Sequence, residues 1–122
     1  MTRVFLADSL PAERSALKLL LLDLKMEVVG DTSDWLTTFD LAPASRLNML
    51  LVEWDLLPAD SNTALTALRT ACGSPVVIVL ISHMIVRKQA ALSFGADVLI
   101  SKNESSDLVI ERLRAAAGNI RS

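Results

Sequence analysis

Apolar residues fall along this chain in short solid runs separated by stretches of helical period. Val4-Phe5-Leu6-Ala7, Met49-Leu50-Leu51-Val52, the run 76–81 and Val98-Leu99-Ile100 are too short for helices and rich in β-branched or bulky side chains, which predicts strands. A fifth, weaker strand is read at Glu27-Val28-Val29-Gly30-Asp31. Between them, residues 11–25, 33–41, 62–71, 85–94 and 106–117 repeat apolar positions three and four apart, the spacing of a buried helical stripe. Leu17, Leu20, Leu21 and Leu24 form that stripe in the first helix, and Val109, Ile110 and Leu113 in the last, leaving Leu108 to face outward. Strands alternating with helices predict βαβ units and a parallel sheet. The runs 49–52 and 76–81 lack polar alternation, as central strands covered on both faces should.

Local punctuation agrees with the periodicity. Pro11 suits the first helical position, where its missing N–H costs nothing. Ser33 or Asp34 can cap the second helix, which carries Trp35, Leu36 and Phe39. Gly73, Gly95 and Gly118 fall just after predicted helices, where a left-handed residue is often wanted. No internal linker, repeat or low-complexity tract interrupts the pattern, so one domain is expected over residues 1–118, with 119–122 a tail or the start of a linker.

Composition narrows the class. The 122 residues are 52% hydrophobic and 21% charged, enough for one globular core and unlike a disordered chain. A net charge of -2 leaves no electrostatic footprint for nucleic acid, so direct binding by this segment is not expected. Cys72 is the only cysteine, which excludes an intramolecular disulfide and fits a reducing compartment. Asp8 breaks the first apolar run short of a signal-peptide core, and Lys18, Asp23 and Lys25 flank the leucines at 19–22, so no membrane span or leader is read. The expected location is cytoplasmic.

The chemistry lies where the strands stop. Four of the apolar runs end in a polar side chain: Asp8, Glu53, Ser82 and Lys102. In an open parallel sheet ligands bind beyond the carboxyl ends of the strands, so two acids, a hydroxyl and an ammonium would converge at one edge. Any one of them alone reads equally well as a solvated strand end or a helix cap. Their joint placement points to a site that handles a phosphoryl group.

Five segments in order, Arg3 to Asp8, Glu27 to Asp31, Asn48 to Glu53, Val76 to Ser82 and Gly95 to Lys102, resemble the receiver domain of two-component response regulators over nearly the whole chain. The resemblance implies an α/β, flavodoxin-like (βα)5 three-layer sandwich with a parallel sheet in the order 2-1-3-4-5. It also implies a non-enzymatic signalling role in a phosphorelay, with a histidine kinase or an output domain as partner. In that family an acidic pair after the first strand holds Mg²⁺, and an Asp after the third accepts phosphate. A Ser or Thr after the fourth strand and a Lys after the fifth bind the phosphoryl oxygens.

The chain departs from this pattern at the chemistry. Asp8 matches the first acid, but Ser9 stands where the second would be, which removes charge from a Mg²⁺ site. Registering on the apolar strand puts Glu53 at the acceptor position; registering on Pro58 puts Trp54 there, and a strand two residues longer would offer Asp55 instead. On the first register Asp8, Glu53 and Asp55 are the residues of a weak or lost metal site, and Glu53 is the acceptor equivalent. Glutamate displaces its carboxylate by about 1 Å relative to aspartate, and misplacement on that scale costs on the order of 10²-fold in positioned chemistry. Ser82 serves as the switch hydroxyl if the loop after the fourth strand is short, whereas counting back from Lys102 gives Leu80. Leu99 takes the place of the family's switch aromatic. These changes imply an atypical receiver with weak or no phosphorylation, in which Lys102 pairs with Glu53, Asp8 or both.

Two further expectations follow. A partner face is read on the helical stretch 85–94, the last strand and the last helix, with Ile85, Phe94, Leu99 and Leu108 as apolar contacts for a homodimer or another protein. The alternative function class is a small flavodoxin-like enzyme or cofactor carrier. Against it, Asp8-Ser9-Leu10-Pro11 has no glycine and turns an acid toward any bound phosphate.

Overall fold

Each apolar run pairs with another as a parallel strand. The computed structural model describes residues 1–81 and 95–120. Strands β1 (Arg3–Ala7), β2 (Glu27–Thr32), β3 (Met49–Glu53), β4 (Val76–Ile81) and β5 (Val98–Ser101) form one sheet in the order β2-β1-β3-β4-β5, as expected. Helices α1 (Pro11–Asp23), α2 (Trp35–Ser45), α3 (Ser61–Cys72) and α4 (Ser106–Gly118) complete the α/β layering among the described residues. The expected helix at 85–94 lies outside them.

Strand alternation divides the core in two. Phe5, Ala7, Leu50, Val52, Val77 and Val79 pack on the side that receives Ala42 of α2 and Leu65 and Leu68 of α3. Val4, Leu6, Met49, Leu51, Ile78 and Leu80 pack on the other, against Leu21 of α1 and Leu113 and Ala116 of α4. Three layers result, with the carboxyl ends of all five strands at one edge.

Local chemistry sets the element ends. Asp34 caps α2 by accepting from the Thr37 N–H at 2.7 Å, Asp60 caps α3 through the Thr63 N–H at 3.1 Å, and Ser105 caps α4 through the Leu108 N–H at 3.3 Å. Gly73 closes α3 in the left-handed region at φ 76°. Gly118 does not play that part: it is the last residue of α4, and the following Asn119 stays right-handed. Gly30, inside β2, is required by space, because a Cβ there would lie 2.6 Å from Phe5 Cε2. Cys72 is half-buried against the α2/α3 side of the core, and burial raises its thiol pKa.

The second helix runs against its hydrophobic pattern. α2 buries Thr38 and Ala42 while Leu36 is 83% exposed and Phe39 39% exposed. Thr38 is tolerated inside because its hydroxyl is satisfied: it donates to the Asp34 carbonyl at 2.7 Å and meets the Thr32 hydroxyl at 2.5 Å.

Candidate functional site

Three strand ends and one helical turn build the site. Asp8 directly follows β1, and its N–H still donates to the Thr32 carbonyl at 3.1 Å, so the chain leaves the sheet in register. Its buried side chain then turns the backbone: Oδ1 accepts from the Leu10 N–H at 2.9 Å, which leads into Pro11 and α1. Arg14, one turn along α1, donates to the Asp8 carbonyl at 2.7 Å.

Glu53 is the last residue of β3 and is 5% exposed. Its Oε1 accepts both the N–H of Ser9, at 3.0 Å, and the Ser9 hydroxyl, at 2.6 Å. Its Oε2 accepts from Lys102 Nζ at 2.5 Å. Lys102 follows β5, its backbone N–H tied to the Ile81 carbonyl at 2.8 Å. The same ammonium pairs with Glu13 in the first turn of α1 and lies 3.2 Å from Asp8 Oδ2. Lys102 therefore bridges three acids from three elements.

Electrostatics follow from this arrangement. Burial lowers the Lys102 pKa, but its hydrogen bonds to Glu13 and Glu53 and its ionic contact with Asp8 outweigh that and leave the ammonium well above its usual range. For Glu53, burial pushes the carboxyl up, yet Lys102 and Ser9 together hold it below the ordinary glutamate value. Asp8 goes the other way: burial dominates the Leu10 and Lys102 contacts and raises it. The neighbouring Glu53 carboxylate adds a smaller push in the same direction.

Asp8, Glu13 and Glu53 present ligand oxygens within 4.8 Å of one another, the spacing of a group that could hold one metal ion. Their donors argue against a tight Mg²⁺ site. Both Glu53 oxygens, Glu13 Oε2 and Asp8 Oδ1 already face N–H, O–H or ammonium groups. Buried Asp8 Oδ2 has no aligned hydrogen bond, only the ionic contact with Lys102. With Glu13 Oε1 that makes two carboxylate oxygens without a hydrogen bond, a poor start on a near-octahedral shell. The cation that fits this cluster is the ammonium within it.

The structure brings together Asp8, Glu53 and Lys102, and adds Glu13, which the sequence reading did not single out. An acid in a first helical turn reads as a partner of the helix dipole, and nothing local says that Lys102 reaches it. Asp55 is exposed in the 3-10 turn Trp54–Leu56, outside the three-acid cluster, and Trp54 packs half-buried against the α2/α3 side of the core. Leu80 lies within the α1/α4 core. Leu99, expected on the partner face, is instead 6% exposed, because its place in β5 points it into the α2/α3 core. Leu108 is 46% exposed on α4. Ser82, Ile85 and Phe94 lie outside the described residues.

No family model matches the sequence, and no curated protein matches it. Solved structures do. The receiver domain of RcsB from Salmonella enterica serovar Typhimurium, in the presence of phosphomimetic BeF3-, superposes with a TM-score of 0.85 at 17% identity, covering 99% of this chain and 91% of that one. The receiver domain of the putative response regulator NarL from Mycobacterium tuberculosis gives 0.81 at 22% identity, over 97% and 98%. The response regulator domain of Thermotoga maritima CheB gives 0.80 at 21% identity, over 99% of both. The chain has the fold of response regulator receiver domains.

Proposed function

We propose that this chain is an atypical receiver module that takes part in phosphorelay-type signalling by docking proteins, with weak or no phosphorylation of its own. The observation that carries the reading is the engagement of Glu53. At the end of β3, where the resemblance places the phosphoacceptor, its carboxylate is held on one oxygen by Ser9 and on the other by Lys102. An attacking carboxylate needs a free oxygen in line with the phosphoryl group, and phosphoryl transfer depends almost wholly on such positioning. The ammonium that would receive the transferred group is meanwhile shared among three acids.

Mg²⁺ binds weakly on this reading, since it must displace Lys102 or settle for Asp8 Oδ2 and Glu13 Oε1. The module itself is not catalytic. Its partners are a histidine kinase or an output domain, with a homodimer through the face that carries Leu108, and its compartment is the cytoplasm. No described helix is long and apolar enough to cross a membrane. The domain occupies residues 1–118, and 119–122 form a tail or the start of a linker.

The test is exposure to acetyl phosphate and Mg²⁺ followed by intact-mass measurement. No adduct should accumulate. A gain of about 80 Da mapped to Glu53 or Asp55, as a phosphoryl group would give, overturns the reading. A flavin-coloured preparation would favour the flavodoxin-like alternative instead.

A further inference from the structure

The apolar surface of α2 is the feature that neither the fold nor the acidic site explains. Leu36 and Phe39 stand three apart on its outer side, and Trp35 lies against Phe39 with ring centroids 6.5 Å apart. Across from them Ala64 and Ala67 of α3 and Pro58 leave a trough of about 800 Å³ between the two helices. A helix that turns Thr38 inward and Leu36 outward gains nothing by it in the isolated domain, because burying leucine is the stabilising choice.

The rim of this trough has one sign of charge. Asp40 and Asp60 line it, and no Lys or Arg does. Residues 27–68 carry seven acids and Arg46 alone, but Glu27, Asp31 and Glu53 are paired with Arg3, with Arg14 and Lys18, and with Lys102, so the charge at the trough is that of Asp40 and Asp60. Arg69, further along α3, is engaged by Asp97 at 2.8 Å. In the last turn of α2, Pro43 has no N–H to give the Phe39 carbonyl.

We propose that the α2/α3 trough is a docking groove for a basic amphipathic helix of a partner protein. The apolar face of that helix lies on Trp35, Leu36 and Phe39, and its Lys and Arg side chains reach Asp40 and Asp60. This is the helix-in-groove mode, in which apolar anchors at helical spacing supply affinity and flanking charge sets orientation and partner choice. The groove is separate from the face carrying Leu108, since α2 and α3 pack on the opposite side of the sheet from α4. It does not depend on the chemistry of Glu53 and Lys102, so its failure leaves the atypical-receiver reading untouched.

The probe is a Leu/Lys amphipathic peptide of about 15 residues, long enough to be helical, titrated into the full chain and followed by amide chemical shifts. A Leu/Glu peptide of the same pattern is the control. The Lys peptide should shift residues 35–40 and 60–67, more weakly as salt rises, and the Glu peptide should not. Leu36→Gln should weaken binding roughly tenfold through the lost apolar contact, and Asp40→Lys should weaken it through charge. Leu36 and Asp40 are exposed, so both variants should keep the wild-type spectrum elsewhere. Shifts centred on another face, equal binding of both peptides, or no binding overturns the proposal. So does sedimentation showing a dimer that Leu36→Gln dissolves, because the groove's occupant is then a second copy of this chain.

Discussion

Ser9 gives both its backbone N–H and its hydroxyl to a single oxygen of Glu53. On the receiver resemblance Ser9 stands in place of the second acid and Glu53 in place of the acceptor, so one departure from the pattern donates hydrogen bonds to the other. The two departures compensate one another: a carboxylate at position 9 would repel the longer glutamate, and an aspartate at 53 would fall short of the hydroxyl by about the length of one methylene. Ser9→Ala removes the hydroxyl donor and keeps the N–H. It should cost about 1.5 kcal/mol, the low end for a hydrogen bond to a charged group, and raise the Glu53 pKa. Urea unfolding and carboxylate titration by NMR check both.

Lys102→Ala should act through pH as much as through stability. With the Lys102 side chain 14% exposed, breaking its pairs should cost about 3 kcal/mol, the low end for a buried ion pair that loses one partner. The Lys102 pKa is raised on folding, so its contribution is full below the unfolded value and fades as pH climbs through the folded one. Glu53 is lowered, so its contribution is present above its unfolded pKa and is lost as pH falls through the folded one. Asp8 is raised and so has the opposite sign, its protonation favouring the folded state; wild-type stability should hold from neutral pH up to about pH 10 and decline in acid only where the loss from Glu53 exceeds that gain. In the variant, Asp8 and Glu53 lose the ammonium that lowers both, so their pKa values rise, and mild acid should stabilise rather than destabilise. Thermal melts between pH 4 and 8 would read that inversion; parallel profiles for the two proteins would rule it out.

Gly30→Ala should destabilise the sheet without touching the site. The new Cβ would lie 2.6 Å from Phe5 Cε2, and Phe5 is fully enclosed by the α2/α3 core, so its ring has little room to retreat. Overpacking of this kind costs about 1–3 kcal/mol. Gly73→Ala, which meets no neighbouring atom but sits at φ 76°, should cost less, about 1 kcal/mol from backbone strain alone. Equilibrium denaturation of the pair ranks the two effects.

The fold was legible because strands buried on both faces leave few readings: Met49 to Val52 and Val76 to Ile81 could only be central, and their polar ends had to share an edge. That logic brought Asp8, Glu53 and Lys102 together from separate parts of the chain. It failed for Glu13, whose contact with Lys102 spans 89 residues and leaves no periodic trace. For Leu99 the expectation came from the receiver resemblance, which put it at the switch aromatic's place on the partner face, whereas its side of β5 faces the α2/α3 core. The sequence also did not show that α2 would bury Thr38. Hydropathy favours Leu36 inside, and the Thr32–Thr38 hydroxyl contact that allows the reverse comes from β2 and is visible only in three dimensions.

Receiver chemistry should return in steps that the geometry orders. Ser9→Asp with Glu53→Asp supplies the acidic pair of the receiver pattern and shortens the acceptor, which removes the Ser9 hydroxyl donor and draws the carboxylate back from the backbone N–H. Glu13 still pairs with Lys102 in that double variant and draws the ammonium away from where a phosphoryl oxygen would sit. Adding Glu13→Ala releases it. The triple variant should thus accept phosphate from acetyl phosphate with Mg²⁺ faster than the double, on the order of tenfold if the released ammonium supplies one charge-assisted contact in the transition state. Intact-mass time courses compare the two rates directly. Equal rates would mean that Glu13 does not restrain Lys102 during transfer. A double variant that labels on Asp55 rather than position 53 would mean that the acceptor lies in the turn after β3 and that the strand register places the chemistry two residues too early.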